Sequence, residues 1–199
     1  VSPGQAINLV RLDEDVPGRV LATARWGLVP AWSKDPAAGP KPINARSETV
    51  TVKPYFRAAA RRRRALVPAG GYYEWQAGPG RAKTPFYLHP EPEGLITLAG
   101  LYEWWGLTPG EPLLCTATII TRPATDSLGA IHDRMPLVVP AERWDDWLDP
   151  SIDAPGEVKR LIAALPDPAL VADPNLPGGP QGLAGPARRA DPAQPGALW

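Results

Sequence analysis

The sequence predicts a compact α+β domain in which short strands form a sheet or barrel and a few short helices pack beside them. Three observations predict it. First, 27 of 199 residues are proline, more than twice the roughly 5% of an average chain, and each proline removes a backbone donor and fixes its own torsion, which disfavours long helices. Second, several short runs rich in β-branched and aromatic residues are bounded by Gly, Pro or Asp, the pattern of strands in a compact sheet. Third, a hydrophobic content of 44% over 199 residues fills one sizeable core and leaves little for a second.

The strand-like runs are 6–12, 20–26, 65–67, 72–75, 86–88, 95–102, 114–121 and 137–139. Three segments carry helical spacing instead. In 52–63, Tyr55, Phe56 and Ala59 fall on one stripe and arginines close the segment, where positive charge suits the helix dipole; Pro54 fits only its first turn. In 141–148, Trp144, Trp147 and Leu148 share a face between Pro140 and Asp149-Pro150. A third, shorter helix is expected over 156–165. The domain is expected to span 1–165. From 166 to 199 the chain holds eight prolines and five glycines with few large apolar side chains, so most of this tail is expected to be mobile.

Twenty-one basic and 21 acidic side chains cancel, so the whole-molecule field neither attracts nor excludes a polyanion, and any nucleic-acid contact must come from a local basic patch. Cys115 is the single cysteine, so no internal disulfide forms, and no secretory signal or membrane-spanning apolar run is visible. A cytoplasmic setting is expected. With two histidines and one cysteine, the ligands for a structural zinc are lacking, and no metal or other cofactor is expected.

Five motifs hold the residues that can carry chemistry. In Arg25-Trp26-Gly27-Leu28-Val29-Pro30-Ala31-Trp32 a strand runs into a Pro-rich loop bearing an indole; Trp32 can stack on a nucleobase or pack on the protein, and Trp26 favours the core. In Ile43-Asn44-Ala45-Arg46-Ser47-Glu48, Asn44 and Arg46 lie on one side of an extended segment, one suited to positioning a polar group and the other to binding phosphate; a turn or cap is the alternative. Arg61 to Arg64 is the densest positive charge, suited either to a nucleic-acid backbone or to a solvated helix end. Glu74, in Gly70-Gly71-Tyr72-Tyr73-Glu74-Trp75, sits among aromatics whose burial would raise its pKa toward general acid–base range, unless it faces solvent while Tyr73 and Trp75 turn inward. Glu103, in Leu101-Tyr102-Glu103-Trp104-Trp105, has a similar setting, and periodicity does not rank the two carboxyls. Last, Ile131-His132-Asp133-Arg134-Met135-Pro136 places an imidazole beside a carboxylate and a guanidinium, a structural cluster or a proton-transfer group.

The motifs RWGLVPAW, INARSE, LVPAGGYYEW, LAGLYEW and IHDRMP, in this order and spacing, resemble the SOS-response-associated peptidase (SRAP) domain family from Val1 to about Leu148. The resemblance implies a single compact α+β domain around a β-barrel-like sheet, with a channel for single-stranded DNA. It also implies abasic-site processing: an amino-terminal cysteine condenses with the ring-opened aldehyde and closes a thiazolidine, giving a DNA–protein crosslink that shields the lesion in DNA repair, alongside self-processing peptidase activity. The family's catalytic Asn, Glu and His match Asn44, Glu74 and His132, which ranks Glu74 over Glu103. Its DNA-binding positions match Trp32, Arg46, Trp75, Thr121 and Arg134. The implied partner is single-stranded DNA carrying abasic sites, bound by a monomer that is cytoplasmic and nucleoid-associated when on DNA.

The family begins Cys-Gly-Arg, whereas this chain opens Val1-Ser2-Pro3-Gly4. An amino-terminally truncated member is expected, unable as it stands to form the thiazolidine. Cys115 cannot substitute, being mid-strand and without a free α-amine. The competing readings are a non-catalytic single-stranded DNA-binding module and a hydrolase acting on a small substrate through Glu74 and His132.

Overall fold

A computed structural model describes residues 1–13, 15–80, 83–106 and 112–174. Its centre is a closed ring of five strands. β1 (Ala6–Leu12) and β2 (Arg19–Trp26) form an antiparallel hairpin, β1 continues onto β4 (Arg64–Ala69), β4 onto β7 (Ile96–Trp105), and β7 onto β8 (Leu114–Pro123). The ring shuts where β8 returns to β2 in parallel, Arg25 opposite Thr116 and Trp26 opposite Ala117. Closure leaves these five strands no open edge to manage.

Period-2 alternation divides the side chains between two cores. Leu9, Ala24, Val67, Leu98 and Ala117, one from each strand, fill the lumen, together with Ile7, Tyr102 and Ile119. Five strands enclose little space, and several inward positions are correspondingly small. Gly100 is the extreme case: a Cβ there would come within 2.9 Å of Val67 Cγ2. The outward residues Leu66, Leu101 and Ile120 meet α1 (Arg57–Arg62), α3 (Trp144–Leu148) and α4 (Pro155–Ala163) through Ala59, Trp147 and Leu161.

Beyond the ring, β3 (Asn44–Arg46) runs parallel to β8, and β9 (Arg134–Pro136) pairs antiparallel with its last residues. A second sheet of β10 (Val171–Asp173), β6 (Lys83–His89) and β5 (Tyr72–Ala77) packs Tyr72, Phe86 and Leu88 onto Leu128 and Met135, Leu128 lying on the single-turn α2 (Asp126–Gly129). Among the described residues no helix is long and apolar enough to cross a membrane.

Three expected elements differ. The helix expected over 52–63 is regular only in α1; before it, Val50, Lys53 and Phe56 donate to Arg46, Thr49 and Lys53 as successive turns, because Pro54 lacks a donor and Thr49 to Val52 are β-branched throughout. The strand expected at 137–139 begins earlier, as β9. Residues 137–139 instead lie between two strands: Leu137 N–H donates to Ile120 O at 2.8 Å, and Val139 N–H donates to Thr97 O at 2.8 Å. Finally, the tail expected from 166 pairs with β6 at 171–173; its remainder from 175 lies outside the described residues.

The arginine run is an internal brace. Arg64 is 3% exposed and donates to the carbonyls of Trp147 (2.6 Å), Ala60 (2.8 Å), Arg61 (2.7 Å) and Asp149, satisfying the C-terminal carbonyls of α1 and α3 at once. Burial pulls its pKa down to about 10, so it stays charged at neutral pH. Arg63 pairs with Glu103, and Arg61 and Arg62 with Asp153. Arg64→Ala strands those carbonyls and is expected to cost on the order of 3 kcal/mol, with Arg64→Lys recovering only part because it lacks the planar fork. Urea denaturation of the three proteins measures both values.

Candidate functional site

The far end of β8 collects the polar residues. Along β3 the burial pattern is exposed, buried, exposed: Ala45 faces the core and Asn44 and Arg46 face out together, as two residues apart on a strand must. Backbone bonds fix the segment against β8. Ile119 N–H donates to Ile43 O (3.0 Å), and Ser47 N–H donates to Thr121 O (2.8 Å).

The loop entering β3 is held as firmly. Trp26 Nε1 donates to Ile43 O at 2.9 Å, Val29 N–H donates to Thr116 Oγ1 at 2.9 Å, and Ala31 N–H donates to Glu103 Oε2 at 3.0 Å. Glu103, itself 3% exposed and bound to Arg63, is thereby committed to holding a loop. That loop displays Trp32, 62% exposed, its ring edge-on to Tyr55 with 5.5 Å between centroids.

Glu74 has the opposite situation. Strand alternation places it on the same face of β5 as Tyr72 and Gln76, the face that packs inward; Tyr73, whose ring lies 4.9 Å from that of Tyr87, takes the other face with Trp75. Gly71, just upstream, admits no side chain, since a Cβ would sit 2.4 Å from Leu88 O, and so β5 starts tight against β6. Gln76 Nε2 reaches Ala130 O at 2.9 Å, tying β5 to the segment that carries His132. Burial raises the Glu74 pKa above 4.5, the positive charge of a protonated His132 pulls it back, and Asp133 pushes it up again. The carboxyl and the imidazole therefore share one electrostatic neighbourhood.

His132 Nδ1 accepts from Arg134 N–H at 3.0 Å in the neutral ring, which leaves the proton on Nε2; Asp133 Oδ1 and Arg134 O each lie 3.2 Å from the same nitrogen. The Arg134 guanidinium turns away from it, onto Glu48 Oε1 (2.5 Å), Glu48 Oε2 (3.0 Å), Thr121 O (2.7 Å) and Thr121 Oγ1 (3.3 Å). Arg134 holds the carboxyl of Glu48 down at about 2, anionic at any working pH.

One fold therefore assembles Asn44, Arg46, Thr121, Arg134 and His132 around β8 and its two flanking strands, with Glu74 reaching the same neighbourhood from the second sheet. Trp75 is 37% exposed on the reverse face of β5, and the described ring contact of Trp32 is with Tyr55. Cys115 is buried in the lumen, where desolvation lifts its thiol to about 11. Sequence reasoning missed Glu48 and Gln76. Glu48 stands in a quoted motif, yet 86 positions separate it from Arg134, a distance at which spacing carries no information; the unassigned carboxylate beside an assigned arginine was the available signal.

Over residues 1–174 the chain matches the family described as SOS response associated peptidase (SRAP). It belongs to the SRAP family. Among SRAP relatives, the Bacillus subtilis abasic site processing protein YoaM is 38% identical over 162 residues, covering 81% of this chain and 70% of that protein. The Xenopus tropicalis abasic site processing protein HMCES is 34% identical over 159 residues, 69% of this chain and 47% of that protein. A solved protein of Bacteroides thetaiotaomicron shares the fold with a TM-score of 0.71 at 27% identity, covering 80% of this chain and 68% of that one. The barrel-like sheet expected of an SRAP domain is the one observed.

The raised pKa of Glu74 has a thermodynamic consequence. Below pH 4.5 the carboxyl is protonated whether folded or unfolded; above its folded pKa it is ionised in both states, and the folded state then bears the desolvation cost. Stability contributed at this position thus falls as pH rises through that window. Glu74→Gln is expected to raise Tm at pH 8 and to lose the advantage at pH 4, as read from thermal melts at the two values.

Proposed function

We propose that this SRAP domain processes abasic sites in single-stranded DNA, with Asn44, Glu74 and His132 serving the chemistry and Trp32, Arg46, Trp75, Thr121 and Arg134 forming the DNA-binding surface. The single observation that supports this most is the half-buried Glu74 carboxyl, its pKa raised by burial, within electrostatic reach of His132, whose Nδ1 accepts from Arg134 N–H, in a domain whose relatives are named abasic site processing proteins.

The nucleophile in this reading is an amino-terminal cysteine, which is not among residues 1–199. Its neutral α-amine attacks C1′ of the ring-opened sugar. The carbinolamine loses its hydroxyl as water, giving a protonated imine; the thiol gives up its proton to a base and its sulfur adds to the same carbon, closing the thiazolidine. One water leaves overall. Departure of hydroxide needs a proton donor near neutral pH, and a carboxyl raised by burial supplies one, returning as a carboxylate able to accept the thiol proton. His132, with its proton on Nε2, suits a hydrogen bond to the furanose oxygen as the ring opens. Asn44, which both donates and accepts, orients the aldehyde without ionising. Self-processing, which would expose the cysteine, fits the same acid–base pair.

DNA retention is a separate task. Net charge is zero, so affinity rests on local contacts: Arg46 is exposed on β3, and stacking on Trp32 is worth roughly 1–3 kcal/mol per base. Trp32→Ala is expected to weaken binding to single-stranded DNA by that amount at all salt concentrations, while Arg46→Ala reduces the slope of log K against log salt by about 0.7. Titration by fluorescence anisotropy at several ionic strengths separates the two.

The chemistry is tested on the protein in a form whose mature amino terminus is cysteine, incubated with single-stranded DNA carrying one abasic site. A heat-stable adduct is expected, slowed about 100-fold or more by Glu74→Gln. Binding without any adduct would leave the domain a non-catalytic single-stranded DNA-binding module, and an unslowed Glu74→Gln would remove the acid–base role.

A further inference from the structure

Glu48 lies outside the set of residues assigned above, yet it is the group on which Arg134 spends its fork. The carboxylate takes both terminal nitrogens of the guanidinium, 2.5 and 3.0 Å away, and Ser47 Oγ donates to Glu48 Oε2 at 3.1 Å. Thr121 O accepts from Arg134 Nη2 at 2.7 Å and from Ser47 N–H at 2.8 Å. The ends of β3, β8 and β9 are thereby drawn to one point. Arg134 is only 19% exposed and Glu48 46%, so the pair sits half in water, where ion pairs contribute little to stability. A bidentate pair of this kind adds geometric specificity as well as energy.

What it fixes is the residue two positions before Arg134. The backbone N–H of Arg134 is the donor to His132 Nδ1, and that bond decides which ring nitrogen carries the proton. We propose that Glu48 is a positioning residue for His132: by locking Arg134 against Thr121, it holds the Arg134 N–H on Nδ1 and keeps the His132 proton on Nε2. The charged groups bearing on the ring are Asp133 from its own segment and Glu74 from β5, together with the Arg134 side chain, which Glu48 holds turned away. Removing the carboxylate frees the guanidinium to swing, loosens the backbone bond and lets Nδ1–H compete through Asp133. The consequence for catalysis rests on the reading of His132 as a hydrogen-bond donor; the geometry does not.

The test is imidazole NMR on the 199-residue chain. It has two histidines, so His132 is assigned by difference and His89 serves as an internal control. In the unmodified protein the ring nitrogens at high pH should show one dominant tautomer, protonated at Nε2. Glu48→Gln should mix the tautomers at His132 and leave His89 unchanged, and Arg134→Lys, which keeps the charge but not the fork, should do the same, so that failure of one variant to fold leaves the other decisive. An unaltered His132 spectrum in the folded variants, or equal changes at His89, overturns the proposal. In the cysteine-bearing form, Glu48→Gln should slow adduct formation at saturating DNA about tenfold. A mixed tautomer with an undiminished rate would uphold the positioning of His132 and defeat its proposed part in the chemistry.

Discussion

The structure depends on one strand having partners along both edges. β8 pairs with β7 and then β9 on one side, and with β2 and then β3 on the other. Its first half closes the barrel, and its second half, projecting past the ring, seats the strands that carry the polar residues. Asn44, Arg46, Thr121 and Arg134 are thus part of an extension of the core ladder, while His132 sits in the segment just before β9. Trp32 comes from the loop before β3, and Glu74 and Trp75 from the small second sheet, which Gln76 ties to the segment before His132.

Two carboxylates in similar aromatic settings end in different states because their neighbours differ. Glu103 is deeply buried but has an arginine and a backbone N–H to itself, so its charge is compensated. Glu74 is less buried, and burial is the dominant influence on it, only partly offset by an imidazole. Burial therefore raises the Glu74 carboxyl above its ordinary value.

Much of the fold was legible in the sequence because its strands are runs rich in β-branched and aromatic residues and its Gly, Pro and Asp residues punctuate them. β1, β2, β7 and β8 were visible as runs of suitable residues; β3, three residues long, was readable only as an extended segment with Asn44 and Arg46 on one side. β10 was hidden inside a Pro-rich stretch whose composition argues against order, since three residues paired to an existing edge need no apolar content of their own. The site was legible as residue types within motifs, and the family resemblance ranked them. What no local pattern could reveal were the pairings that cross the fold, such as Glu48 with Arg134 and Arg64 with two helix ends, because these are fixed by topology and not by spacing.

The four consecutive arginines carry a lesson of their own. Each is spent on a carbonyl or a carboxylate of the same molecule, so the most basic stretch of the chain acts as a strut. A count of basic letters would treat all four as one patch, whereas Arg64 is buried and holds the ends of α1 and α3 while Arg61 and Arg62 stay more than half exposed beside Asp153.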